Sequence, residues 1–188
     1  MNQLVTIYKE MIYKLLMTSN GRTTDLLEVL AGEGIELKVI GQEVEQVELF
    51  DGNRTTCIVR ESYMMNKRSK FILSHNFTKI YTDFTPNGLV SKIGKKEQGM
   101  GSVMKNMDIT STRRILDFGW RNQTAIVDLR SNVKQLLFEF NDNVPFKEYE
   151  VSFEQNGHPG LHIIEYFNPD LLDTVEFSSE ESMELYVK

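Results

Sequence analysis

Two charged side chains stand where strand alternation calls for apolar ones. In LHIIEYF, residues 161–167, alternation puts Leu161, Ile163, Glu165 and Phe167 on one face, so Glu165 sits in the middle of an apolar row. A carboxylate drawn out of water without a partner shifts its pKa upward, acquires a partner, or borders a cavity. The plainer alternative is an edge strand that turns Glu165 to solvent. In CIVRESYMM, residues 57–65, Ile58, Arg60, Ser62 and Met64 share a face. A surface arginine or a structural ion pair is the plain reading of Arg60. The chemical reading is a bidentate grip on a carboxylate, for which a guanidinium is the best-shaped side chain. If Arg60 and Glu165 approach one cavity, an anionic ligand is held by the first and protonated by the second. The stretch GKKEQGMGSVMK, residues 94–105, adds a third element. Gly99 and Gly101 let backbone come close to a ligand, and a helix starting near Ser102 offers free N–H groups and its positive dipole end. A plain loop followed by a helix start is the alternative there.

Other chemistries find little support. His75, His158 and His162 are the only histidines, none pairs with another at i, i+4, and Cys57 stands alone, so no zinc pattern is present and no metal is expected. A GxSxG elbow is absent, and Cys57 lies among apolar strand neighbours, the setting of a buried structural thiol. Gly99-Met100-Gly101 lacks the third glycine and the preceding βαβ unit of a nucleotide fingerprint. The formal charge of -6 argues against nucleic acid as the main partner, and Lys92, Lys95, Lys96 and Lys105 read as a solvated turn. The apolar runs fall far short of the roughly 18 residues a spanning helix needs. Lys9, Glu10 and Lys14 interrupt any signal-peptide core. With a single cysteine, the expected location is a reducing cytoplasm.

These side chains must be positioned by elements of one domain, the size that 188 residues allow. Leu4, Ile7, Tyr8, Met11, Ile12, Leu15 and Leu16 recur at helical spacing and predict an amphipathic first helix packed on a core. Because that helix leads almost directly into the next element, no DNA-binding module is expected before it. A second short helix is predicted from Thr24 or Asp25, with Glu28 placed for a capping box and Gly32 as its stop. Strands follow in GIELKVIGQEVEQVELF, CIVRESYMM and KFILSHNFTKIY, the first two joined by a turn at Asp51-Gly52-Asn53. Residues 85–101 read as a long loop of the kind that serves as a lid. TSTRRILDFGW, TAIVDLR and QLLFEFN alternate apolar and polar residues, and EYEVSF and LHIIEYF form a last hairpin. After residue 169, Asp170, Asp173, Glu176, Glu180, Glu181 and Glu184 make residues 170–188 an acidic tail on a 1–169 domain. Consecutive strands without βαβ alternation predict an antiparallel α+β fold.

With these segments in register, the chain resembles the chorismate pyruvate-lyase family, and in particular its divergent, less characterised bacterial and archaeal branch. IVRES sets Arg60 at the family's substrate-binding arginine, and GMGSVM sets Met100 and Gly101 at its backbone contact. Thr112, Arg113, Asp117, Phe118 and Gly119 follow the family's next motif. Gly157-His158-Pro159 leads to Glu165-Tyr166-Phe167-Asn168-Pro169, where the family carries its catalytic glutamate. The resemblance covers roughly residues 15–169. It implies a sheet of about six antiparallel strands with flanking helices and helical flaps around a buried ligand cavity, and no cofactor. A second family arginine falls at His75, which becomes a candidate ligand contact.

The function this implies is a lyase that eliminates pyruvate from chorismate or a related enolpyruvyl acid, leaving 4-hydroxybenzoate or a similar aromatic acid. Arg60 holds a carboxylate with help from Met100 and Gly101, and Glu165 gives the proton. The competing expectation is a non-catalytic module of the same fold that binds an aromatic or anionic small molecule. Either acts as a monomer or homodimer.

Overall fold

The computed structural model describes residues 3–49, 52–94, 103–104, 106–153 and 158–173. Met100, Gly101, Asp51 and the tail acids beyond residue 173 lie outside them.

Helices α1 (Gln3–Thr18) and α2 (Thr23–Ala31) precede strands β1 (Ile35–Glu48), β2 (Arg54–Asn66) and β3 (Ile72–Tyr81). Helix α3 (Asn87–Gly94) leads towards β4 (Ser111–Asn122), and β5 (Asn143–Phe153) and β6 (Pro159–Phe167) complete the strands. All are antiparallel in one sheet of order β1-β2-β3-β6-β5-β4, which places β6 at the centre and leaves β1 and β4 as edges. The fold is α+β, as the pattern of strands predicts.

Local sequence explains most of these elements. The β1–β2 connection uses Gly52 at φ 80, a left-handed conformation that glycine adopts without a Cβ penalty. Gly32 ends α2 at φ 64 and returns its N–H to Glu28 O at 3.1 Å, so the expected stop is in place. The start of α2 differs from expectation. Its N-cap is Arg22, which makes no side-chain cap bond and instead holds Asp25, so the capping box on Glu28 does not form.

Three segments correct the sequence reading. Residues 85–101 are not loop throughout, because Leu89 and Ile93 recur at helical spacing and bury completely to make α3. TAIVDLR and QLLFEFN do not become strands. The first makes only an isolated bridge, between Val127 and Val133, and together they lay Ile126, Leu136 and Phe138 across one face of the sheet. In α1 the buried ridge is Tyr13, Leu16 and Met17, whereas Ile7, Tyr8, Met11 and Leu15 are each more than half exposed. The rotation of α1 is fixed by Tyr13, whose hydroxyl reaches the carbonyls of Asn168 at 2.9 Å and Pro169 at 2.7 Å. Leu171 and Leu172 are buried beside it.

The core divides into three clusters. On the face covered by 123–142, Phe77, Phe146, Ile164 and Tyr166 pack against Ile126, Leu136 and Phe138. The helix-covered face carries two clusters. One is built on Ile80, Leu161 and Ile163 with α3, and the other on Met64 and Phe167 with α1 and α2.

Candidate functional site

A row of polar residues crosses the sheet between those two helix-side clusters. Strand pairing sets Ser62 opposite Asn76, Asn76 opposite Glu165, and Glu165 opposite Lys147, so one level of β2, β3, β6 and β5 presents polar side chains to the helices. All four are buried. Thr23, the first residue of α2, closes the row from above. Its hydroxyl donates to Glu165 Oε2 at 2.7 Å and accepts from Lys147 Nζ at 3.0 Å, while Lys147 lies 3.7 Å from Glu165 Oε2. Lys147 also donates to Leu16 O at 3.3 Å, in the last turn of α1. Burial holds the Lys147 ammonium below its ordinary range against the pull of Glu165. Burial, and then the Glu165 charge, hold the neighbouring Tyr149 phenol well above its own.

Above this row lies a cavity between the start of α2 and the sheet. Arg22, Thr23 and Thr24 form its helix side; Ser62, Asn76, Thr78, Glu165 and Tyr149 form its sheet side, with Leu161, Ile163 and Met104 as apolar wall. A second, more open cleft shares Arg22, Met104 and Arg113 with it and adds Asn20, Gly21 and Ser111. The two arginines therefore stand where the inner cavity meets the outer cleft. Arg113 donates to Gly21 O and lies 5.7 Å from the centroid of the Tyr149 ring. Asn76 Oδ1 and Thr78 Oγ1 are buried without a hydrogen-bond partner among the described residues.

The structure separates several residues that the sequence reading grouped. Glu165 lines the cavity, but it is not an isolated acid in an apolar row, because Lys147 faces it across the β5–β6 hairpin and Thr23 bonds it from α2. Arg60 shares the sheet face with Glu165 but does not line the cavity beside α2; its guanidinium donates to Gln42 Oε1 at 2.9 Å and to Ile93 O. His75 does not reach either group. Alternation along β3 turns it to the opposite face, where it is fully buried, stacks on Phe77 with centroids 4.8 Å apart and meets Glu61 Oε1 at 3.0 Å. Met100 and Gly101 lie outside the described residues. Thr23, Lys147, Asn76, Arg113 and Tyr149 are site residues that single-strand patterns did not single out for the cavity. One signal was available for Lys147: counted back from the QNGHPG turn, a lysine in the core-facing register of β5 meets the misplaced acid of β6.

No family model and no curated protein matches the chain. Solved structures do match. PhnF from Mycobacterium smegmatis aligns with a TM-score of 0.53 and 11% identity, over 82% of this chain and 67% of that one. Gene product SA0254 from Staphylococcus aureus gives 0.53 and 10%, over 80% and 89%. The ligand-binding domain of a candidate GntR-family transcriptional regulator from Bordetella bronchiseptica gives 0.45 and 6%, over 72% and 86%. The likenesses at 0.53 show a shared fold, the chorismate lyase-like α+β architecture.

The expectation of lyase activity is corrected. Neither of the structures that share the fold at a TM-score of 0.53 is named as a lyase. The site has a physical reason for the same outcome. Arg60 does not line the cavity that holds Glu165, and Glu165 is engaged by a lysine and a threonine hydroxyl.

Proposed function

We propose that the protein is a non-catalytic module that binds a small anionic molecule in the cavity between the start of α2 and the sheet. The observation that carries this reading is the pair of unpartnered buried groups, Asn76 Oδ1 and Thr78 Oγ1, on residues that line a cavity whose mouth holds two arginines. Leaving one buried polar group unpaired costs roughly 1–3 kcal/mol, and a ligand bonded there removes the cost. Arg22 and Arg113 supply charge for an acidic group. The start of α2 adds the positive end of its helix dipole. Ser62, Asn76 and Thr78 take the polar body of the ligand, and Leu161, Ile163 and Met104 take its apolar part. Binding is felt by both leading helices, since Thr23 and Lys147 tie the start of α2 and the end of α1 to the same row.

The test is a thermal-shift screen of the full chain against small carboxylates, amino acids and phosphorylated sugars, repeated on Arg113→Leu and Asn76→Leu. A true ligand raises the wild-type midpoint by several degrees and loses at least tenfold in affinity in each variant. Asn76→Leu without ligand keeps or raises its stability, because an unpaired polar group has been replaced by an apolar one. If compounds that stabilise the wild type stabilise both variants equally, the cavity is not the binding site.

A further inference from the structure

Helix α1 is apolar on two sides, and the fold uses only one of them. Tyr13, Leu16 and Met17 are buried against the sheet and α2. On the opposite side of the helix, Ile7, Tyr8, Met11 and Leu15 are 53%, 55%, 52% and 62% exposed. Side chains three or four residues apart are neighbours on a helix, so these four form one continuous stripe. No charge interrupts it. Lys9, Glu10 and Lys14 fall outside the stripe, and Lys9 turns away from it to Asp173.

Exposed apolar side chains scattered singly are ordinary. These are not scattered. Of the twelve large apolar side chains exposed among the described residues, four lie on α1 and three on β4, the edge strand against which α1 packs. Trp120 of β4 meets Tyr13 of α1 edge-on, with ring centroids 5.5 Å apart, and Phe118 shares its face of the sheet. At their exposure the four α1 side chains present roughly 400–500 Å² between them, and Phe118 and Trp120 extend the patch towards the scale of about 800 Å² per partner that stable interfaces bury.

The spacing of the stripe says what fits it. Tyr8, Met11 and Leu15 follow one another at three and then four residues, the a and d seam along which two helices interlock, each side chain entering a hole of the facing helix. A seam of this kind is complementary to a copy of itself. A two-fold axis through its middle brings the same stripe onto it and closes the assembly at two chains.

We propose that the outer face of α1 is a dimer interface whose partner is α1 of a second copy of this chain, with Phe118 and Trp120 of β4 at its rim. The interface goes beyond the binding reading above and does not depend on it. A patch of this size supports a dimer of moderate strength, with a dissociation constant on the order of 10 μM.

The test is sedimentation equilibrium of the full chain from concentrations well below that constant to well above it. The wild type is expected to pass from monomer to dimer. Met11→Lys places like charges on the seam and is expected to weaken the dimer at least tenfold; the position is half exposed in the single chain, so the circular dichroism spectrum stays that of the wild type. Val29→Lys, at an isolated exposed position on α2, leaves the dimer as it was. Met11→Cys gives a second reading that survives if the lysine variant does not fold. Met11 lies at the middle of the stripe, and Cys57 is buried, so mild oxidation is expected to link two chains through the new thiol alone. A monomer at every concentration, a dimer that Met11→Lys leaves intact, or a monomeric Met11→Cys whose thiol resists a maleimide because another segment of the chain covers it overturns the proposal.

Discussion

On the face covered by residues 123–142, most buried polar groups find their partners within the chain, His75 Nδ1 being the exception among the described residues. Tyr166 Oη donates to Val127 O at 2.8 Å and accepts from Val127 N and from Arg121, whose guanidinium lies 3.7 Å from the centroid of the Phe146 ring. Glu61 joins His75 to Lys134 on the same side. On the helix-covered face, a row of polar residues runs between two apolar clusters and leaves Arg60, Ser74, Asn76 and Thr78 with unmet hydrogen bonds among the described residues. Both faces are buried, so burial alone does not distinguish them. What differs is how much polarity is left open among the described residues: one ring nitrogen of His75 on the first face, and Arg60, Ser74, Asn76 and Thr78 on the second, the face to which we assign the proposed binding site.

That contrast is open to direct attack. The largest effect is expected from Phe146→Ala on the closed face, which removes a core ring and costs about 3–5 kcal/mol of stability by chemical denaturation. Affinity for a ligand of the α2 cavity should not change beyond that loss of fold, and a specific loss of binding would break the division between faces. On the other face, Lys147→Met should cost about 3 kcal/mol by stranding Glu165 in the interior. The double variant with Glu165→Leu should recover most of that, which would show the row to be retained for a purpose other than stability.

A smaller effect concerns pH. Burial, opposed by Glu61, depresses the His75 pKa below its ordinary 6.5, so the folded state keeps the ring neutral where the unfolded chain protonates it. Stability is therefore full above the unfolded value and declines as pH falls below about 6.5. His75→Gln should flatten that decline in urea midpoints measured across the window. An unchanged slope would mean that His75 is not held neutral by its face. The smallest change is expected from Arg114→Ala, which breaks an exposed pair with Glu150 and should shift stability by under about 0.5 kcal/mol.

Much of this arrangement could be read from the chain. Alternation identified Glu165 and Arg60 as charges in the wrong row, and both are indeed buried on the helix-covered face. It could not pair them with their neighbours. Arg60 and Glu165 look like partners in sequence because each is the odd residue in its strand, yet β3 lies between β2 and β6, and each meets different side chains. His75 fails for a simpler reason: the spacing from Arg60 that makes it a candidate contact places it on the other face of the sheet. In α1 the apolar residues go almost around the helix, so periodicity alone could not choose between the ridge at Tyr13, Leu16 and Met17 and the stripe at Ile7, Met11 and Leu15.

By itself, the sequence marked the six strands that form, the glycine stop of α2, the last hairpin and the presence of two misplaced charges. All of these depend on local sterics and on a two-residue repeat that neighbours along the chain enforce. The tertiary structure alone decided that Thr23 engages Glu165, that Arg113 lines the cavity, and that Arg60 has no counter-charge among the described residues. Those outcomes depend on strand order, register and the seating of α1 and α2, which bring together residues more than a hundred positions apart and are fixed only when the core is packed.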